Sequence, residues 1–145
     1  MWINRESSIM GRESSPIHWF FLSLGKTYSM FLALAHTKLD VFAVSKSFVL
    51  TCYKETKSFP SEEKFGMISK IRKAALSVHP DAAEGSSRKS AVERKSYYEI
   101  ARGSIIEIDA ALDIAVDLEY TSKHRLEELG KLMIRSFQMI SKMIS

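Results

Sequence analysis

Cysteine, proline and glycine are scarce in this chain, which has one, three and six of them among 145 residues. The lone thiol, Cys52, excludes an internal disulfide, and no histidine is placed to activate it as a nucleophile. None of the four histidines has a glutamate three residues before it, and the sequence contains no Cys-x-x-Cys or His-Glu-x-x-His. The common metal-binding motifs are therefore missing. We expect a buried, inert thiol, no metal, no cofactor and no enzymatic activity, in a reducing cytoplasm.

Long hydrophobic runs are also lacking. The most apolar stretch, residues 16–35, is broken by Gly25 and Lys26, so neither half is long enough to span a bilayer. Its small-residue end resembles a signal-peptide cleavage site, whereas the acidic residues ahead of it argue against secretion, and Met30 is an alternative start. We predict that residues 1–35 form a disordered or weakly ordered N-terminal extension and that residues 36–145 form one domain, without membrane contact.

From residue 36 onward the apolar residues recur at helical spacing, and no run alternates with the period of a strand. Four helices are predicted: residues 37–58, residues 61–86, a third helix that starts within residues 87–90 and ends near residue 119, and residues 122–144. Their short connections and near-heptad apolar stripes indicate an all-α, antiparallel up-down-up-down four-helix bundle.

The stretch SVHPDAAEGSSRKS, residues 77–90, joins the second and third helices. Pro80 interrupts a helical pattern that continues beyond it, which predicts a kinked helix. Gly85 is the expected C-terminal stop of that helix. Ser90 and Glu93 have the spacing of a capping box at the start of the next one. The GSSRKS segment lacks the spacing of a phosphate-binding loop and follows no strand, so a nucleotide site is not expected.

Two adjacent tyrosines follow the basic end of this stretch. Neighbouring residues on a helix point about 100° apart, so Tyr97 and Tyr98 cannot both face one groove. Tyr97 continues the apolar stripe of Ala101 and Ile105, which predicts a core position for it. Tyr98 is then the tyrosine left for a surface role, such as stacking on an unpaired base.

Charge is segregated along the sequence. Residues 64–95 carry a net charge of +5 and residues 96–120 a net charge of −5. The basic block could follow a phosphate backbone, the two blocks could pair between neighbouring copies, or both could be solvated faces without a partner. On the first interpretation, the expected phosphate contacts are Lys70, Arg72, Lys73, Arg88, Lys89, Arg94 and Lys95.

The acidic block places Asp109, Asp113 and Asp117 four residues apart on one helical face. Three carboxylates could hold a divalent cation. A solvated face, or ion pairs with a neighbouring helix, is the simpler interpretation, and we predict no metal site here.

Several short motifs follow one another along the chain: LDVF at residues 39–42, FPSEE at 59–63, KAALSV at 73–78, AEG at 83–85 and ARGSIIE at 101–107. With these motifs the chain resembles the four-helix bundle family named for proteins encoded in intervening sequences of 23S ribosomal RNA genes. Three positions depart from the family pattern. His79 stands where the family has proline, Asp81 where it has asparagine, and Lys70 where it has glutamine.

The resemblance implies a homo-oligomer, most simply a pentameric ring. A related branch, the accessory proteins of diversity-generating retroelements, implies RNA or DNA and a reverse transcriptase as partners. The expected function is therefore a non-enzymatic oligomeric bundle that binds nucleic acid, ribosomal RNA included, through its basic face. The alternative is a protein-interaction scaffold whose charges serve ring assembly. Glu84 is expected to pair with Arg88, and Glu99 with Arg102. The expected oligomer or structural contacts are Glu84, Gly85, Glu99, Arg102, Gly103 and Glu107.

Overall fold

The computed structural model describes residues 30–32, 34 and 39–145. Within them the chain forms helices α1 (Asp40–Thr56), α2 (Met67–Ser87), α3 (Ala91–Asp117) and α4 (Glu127–Ile144), with a short 3-10 helix at Ser61–Glu63. These residues contain no strand, and the predicted all-α fold of four helices is confirmed. The predictions for residues 1–29, 33 and 35–38, including the first residues of the first predicted helix, lie outside the described residues.

Side-chain contacts show that α1 and α2 run antiparallel. Ser45 near the start of α1 lies 2.8 Å, Oγ to Nδ1, from His79 late in α2. At the other end, Arg72 Nε donates to Thr56 Oγ1 over 2.9 Å. Helices α2 and α3 are likewise antiparallel, since Ser104 Oγ donates to Ser77 Oγ over 3.1 Å while Lys70, seven residues earlier, pairs with Glu107. Helix α4 packs against both α3 and α1 and closes the bundle.

The core is the set of apolar stripes that these helices turn toward one another. Helix α1 contributes Val44, Phe48 and Cys52, all without exposed surface, and α3 contributes Ile105 and Ile108. Small residues line α2, which packs closely on its neighbours. The buried residues of α2 and α4 are Ile71, Ala74, Ala75, Val78 and Ala82, then Leu129, Leu132, Met133 and Ile140.

Helix α2 begins six residues later than predicted. Pro60 precedes the 3-10 turn, and Glu63 Oε2 then accepts the backbone N–H of Met67 over 3.0 Å. This carboxylate satisfies one of the free N–H groups at the helix start and lies at the positive end of the helix dipole. Helix α4 also starts later than predicted, because Ser122 Oγ accepts the backbone N–H of Arg125 and holds a separate turn before it.

Gly85 is not the helix stop that the sequence indicates. Helix α2 continues through Pro80, as predicted, and also through Gly85 to Ser87. Gly85 lies on the buried face, where an added Cβ would be 2.7 Å from Cε1 of Tyr98 and 3.0 Å from Cβ of Tyr97. The glycine therefore allows α2 and α3 to pack closely, because any side chain there would collide with the facing helix.

The core tyrosine is Tyr98, so the prediction for this pair was wrong by one residue. Tyr98 is 5% exposed and its hydroxyl lies 3.1 Å from Ser86 Oγ, whereas Tyr97 is half-buried. The apolar stripe can be extended from Ala101 by three or by four residues. The stripe extends by three residues, to Tyr98, because the space beside Gly85 accommodates the ring of Tyr98.

Both ends of α3 are capped by side-chain or backbone geometry. Ser90 Oγ accepts the backbone N–H of Glu93 over 3.4 Å, as the capping-box spacing predicts. At the other end Glu119 has a φ of 62°, and Tyr120 N–H donates to Ala115 O over 2.9 Å. This is the Schellman arrangement, in which the left-handed position is usually glycine.

Replacing Gly85 with alanine tests the close approach of α2 and α3. We expect Gly85→Ala to lower the free energy of unfolding by about 1–2 kcal/mol, because the overpacking cost exceeds the gain in helix propensity. Gly130→Ala in α4 is the matched control, since no atom lies within 4 Å of its added Cβ. It should raise the free energy of unfolding by up to about 1 kcal/mol in the same urea titration. Equal shifts in the two variants would contradict the packing at Gly85.

Candidate nucleic-acid interface

The seven basic residues predicted as phosphate contacts fall into two groups. Three lie near the start of α2, at residues 70–73, and four lie around the turn between α2 and α3, at residues 88–95. Residues 73 and 88 are separated by a rise of about 22 Å along the helix. Between the two groups the outer surface of α2 presents exposed Leu76 and Pro80. The structure therefore does not bring all seven into one continuous patch.

In the first group only Lys73 is without a contact in the described part of the chain. Lys70 Nζ lies 3.6 Å from Glu107 Oε1, in an exposed pair between α2 and α3. Arg72 is directed inward, with its guanidinium carbon 4.9 Å from the ring centre of Tyr53 and its Nη2 donating to Tyr53 O over 3.3 Å. Together with the bond to Thr56, these contacts make Arg72 a brace between α1 and α2.

In the second group Arg94 fixes the turn itself. Its Nη1 donates to the carbonyls of Arg88 over 3.0 Å and Lys89 over 2.6 Å. These carbonyls follow the last turn of α2, at the negative end of its dipole, where a cation is favourable. Arg94 thus holds the chain direction between the two helices, while its own charge stays at the turn.

Arg88 is held by two groups from opposite sides of the turn. Its Nη2 contacts the carboxylate of Glu84 in a short ion pair and donates to the hydroxyl of Tyr97 over 3.2 Å. Its guanidinium carbon lies 5.2 Å from the ring centre of Tyr97. The hydrogen bond that Arg88 donates to the Glu84 carboxylate raises the pKa of Arg88, so the guanidinium keeps its charge. The Glu84–Arg88 pair predicted from spacing is confirmed.

The remaining cations of the turn are exposed lysines. Lys95 Nζ lies 4.0 Å from Glu99 Oε1. Glu99 therefore pairs with Lys95, whereas the sequence had predicted Arg102 as its partner. Lys89 is exposed, and its side chain has no ion pair within the described residues. Counting its acidic neighbours, the segment 84–99 carries a net charge of +1. The field of a single copy at this end is therefore modest.

The outward face of α3 carries a stripe of apolar and small residues, which we call the α3 stripe: Val92, Gly103, Ile106, Ala110 and Ile114. Val92, Ile106 and Ile114 are 80%, 55% and 52% exposed. Among the described residues, no neighbouring element comes within 4 Å of a Cβ added to Gly103, so no other helix of the described chain packs closely on this glycine. Sequence reasoning missed the stripe, although the spacings of three and four from Gly103 to Ile114 were the available signal. Val92 lies eleven residues before Gly103, about three turns away on the same face.

Charged residues border the α3 stripe on one side. Lys95 and Arg102 lie toward the start of the helix and Asp109, Asp113 and Asp117 toward its end. The three aspartates are exposed. Within the described part of the chain, no group of three or more histidine, cysteine or acidic side chains could hold a metal ion.

Two of the three residues that depart from the family pattern, His79 and Asp81, make contacts at α2, and the third, Lys70, pairs with Glu107. His79 lies against Phe42, with ring centres 4.3 Å apart, in addition to its contact with Ser45. Asp81 Oδ2 accepts the hydroxyl of Ser77 over 2.5 Å, and this hydroxyl in turn accepts that of Ser104. The departures are thus part of the packing between α2 and its neighbours.

The fold and its surfaces define a class of protein, a helical bundle whose described residues present charged and apolar faces on antiparallel helices. The family model described as 23S rRNA-intervening sequence protein matches residues 37–142. This match covers most of the chain, and the protein belongs to that family. The resemblance predicted from the short motifs is therefore confirmed.

A solved structure shows the same fold. A protein of unknown function from the S23 ribosomal protein family of Bacteroides thetaiotaomicron superposes with a TM-score of 0.64 at 18% sequence identity. The similarity covers 72% of this chain and 98% of that one. No curated protein matches the chain. None of the described helices is long and apolar enough to cross a membrane.

Cys52 provides a test of how tightly α1 is enclosed. Its side chain has no exposed surface, and burial raises the pKa of the thiol. A thiol whose pKa is raised on folding contributes stability below its ordinary pKa of about 8.5, and that contribution is lost as the pH rises above it. We expect iodoacetamide at about pH 8.5 to label the folded protein far more slowly than the urea-unfolded chain, as mass spectrometry would measure. Equal labelling rates would contradict the burial of this thiol.

Proposed function

We propose that the protein acts by binding and not by catalysis, as a self-associating bundle. It binds nucleic acid through the basic turn between α2 and α3 and through the unpaired Lys73 on α2. Lys73 and Lys89 carry the proposal, because both are exposed and neither is paired within the described residues. An ammonium group of this kind is available to a phosphate without breaking an existing contact. The family description names 23S rRNA, which makes RNA the first nucleic acid to test.

Self-association would compensate for the modest charge of one copy. A net charge of +1 around the turn supports only weak binding of a polyanion. Several copies in one assembly would contact the same strand, and each further contact is then intramolecular. A pentameric ring, which the family resemblance implies, would present five such turns.

The α3 stripe is the proposed surface for self-association. It places three large aliphatic side chains in water, and Gly103 and Ala110 between them allow a second helix to come close. The basic residues at one end of the helix and the acidic residues at the other favour a partner with the opposite order of charges. In a head-to-tail ring the stripe meets a different surface of the neighbouring copy, and that surface would have to supply this order.

A protein-interaction scaffold is the second candidate, and the same stripe favours it. An apolar face bordered by charge also suits a helix of a different protein, such as a reverse transcriptase. In that case the lysines would contact acidic side chains and nucleic acid would be ignored. The two candidates therefore differ in whether RNA binds when no other protein is present.

Charge reversal at the exposed lysines tests the nucleic-acid proposal. We expect Lys73→Glu combined with Lys89→Glu and Lys95→Glu to weaken binding of a labelled structured RNA at least tenfold, measured by fluorescence anisotropy at about 50 mM salt. The matched control reverses Lys123, Arg125 and Lys131 at the other end of the bundle and gives the same change in net charge. It should cost less than about threefold. Equal losses would indicate binding through net charge alone, and no binding by the unmodified protein would favour the scaffold.

A charge placed on the α3 stripe tests self-association. Ile106→Glu should convert the assembly to monomers, because a carboxylate cannot be buried unpaired against a second helix. Ile134→Glu on α4 is the matched control, since Ile134 is 59% exposed and lies outside the stripe. Native mass spectrometry should show the parent mass for the control only. An unchanged mass in Ile106→Glu would exclude the α3 stripe as the interface.

A further inference from the structure

The Arg88–Tyr97 pair has a geometry that a simple ion pair does not require. The guanidinium lies over the tyrosine ring, and its Nε is buried without a hydrogen-bond partner, so this group rests against the protein. The Arg88 side chain is nevertheless 39% exposed. The result is a planar cation beside an aromatic ring, with part of its side chain open to solvent.

The surroundings keep this platform in place. Arg94 holds the carbonyls of residues 88 and 89, and Glu84 fixes the guanidinium from α2. Tyr97 itself is positioned by the close packing at Gly85. A Cβ added to this glycine would lie only 3.0 Å from Cβ of Tyr97. A site held in this way loses little conformational freedom when a ligand binds.

We propose that a base of an unpaired nucleic-acid strand stacks on the Arg88 guanidinium, with Tyr97 behind it, while Lys89 and Lys95 contact the neighbouring phosphates. Arginine planes and aromatic rings are the surfaces on which proteins stack unpaired bases. A base inside a duplex is already stacked on both sides and cannot reach such a platform. This inference rests on the proposed function and specifies its ligand as a single strand.

A second arginine–tyrosine pair among the described residues shows why the assignment is specific. Arg72 also lies over a ring, that of Tyr53, but its Nε and Nη2 are both bonded to α1. Arg72 therefore joins two helices. Within the described part of the chain, Arg88 is bonded through Nη2 alone, in a turn that also presents exposed lysines.

The experiment compares arginine with lysine, which keeps the charge and the reach toward Glu84 but loses the plane. The full chain is titrated against a labelled, unstructured RNA strand, its duplex, the DNA strand of the same sequence, and that DNA strand with abasic positions. We expect the single strands to bind more tightly than the duplex and the abasic strand. Arg88→Lys should bind the RNA strand about tenfold more weakly, with little change for the duplex. Arg125→Lys, an exposed arginine at the other end of the bundle, should bind like the parent protein.

Two results would overturn the inference while leaving the proposed function intact. One is an Arg88→Lys variant that binds the strand as tightly as the parent protein. The other is equal affinity of the parent protein for the abasic and the complete strand, which needs no variant and so does not depend on how Arg88→Lys folds. Absence of binding to every probe at about 50 mM salt would overturn the proposed function and this inference together.

Discussion

Gly85 lets α2 and α3 approach closely at the turn that joins them, and much of the structure follows from this contact. The space above the glycine accepts the ring of Tyr98, which fixes the rotation of α3 about its axis. That rotation turns Tyr97 toward the surface, where Arg88 covers it, and turns Val92, Ile106 and Ile114 outward. The lack of a side chain at Gly85 thus positions the two surfaces to which we assign a function, the Arg88–Tyr97 pair and the α3 stripe.

The antiparallel course of the helices changes the meaning of the charge segregation seen in the sequence. Along the chain, a basic block precedes an acidic one. In space, α3 runs back beside α2, so Lys70 lies next to Glu107 and the two blocks partly neutralise each other. Among the described residues of the basic block, Lys64, Lys73 and Lys89 are exposed and have no ion pair. Charge counted along a sequence therefore overstates the field of a folded helical hairpin.

Helical periodicity was enough to predict the class of fold, because each helix buries a stripe that recurs every three or four residues. It could not place features that depend on a facing helix. Whether Tyr97 or Tyr98 is buried depends on the space at Gly85. Likewise, Glu99 pairs with Lys95 although Arg102 is equally near in the sequence. The candidate site was predicted as a set of charges. Its division into bracing arginines and exposed lysines required the hydrogen bonds of Arg72 and Arg94.

The end of α3 shows that this sequence has not exhausted the stability open to its fold. Glu119 occupies the left-handed position of the Schellman arrangement, where a residue with a side chain costs on the order of 1 kcal/mol relative to glycine. Glutamate and glycine codons differ by a single nucleotide, so the more stable form lies one mutation away. The sequence therefore lies below the stability that its fold permits, as natural proteins generally do.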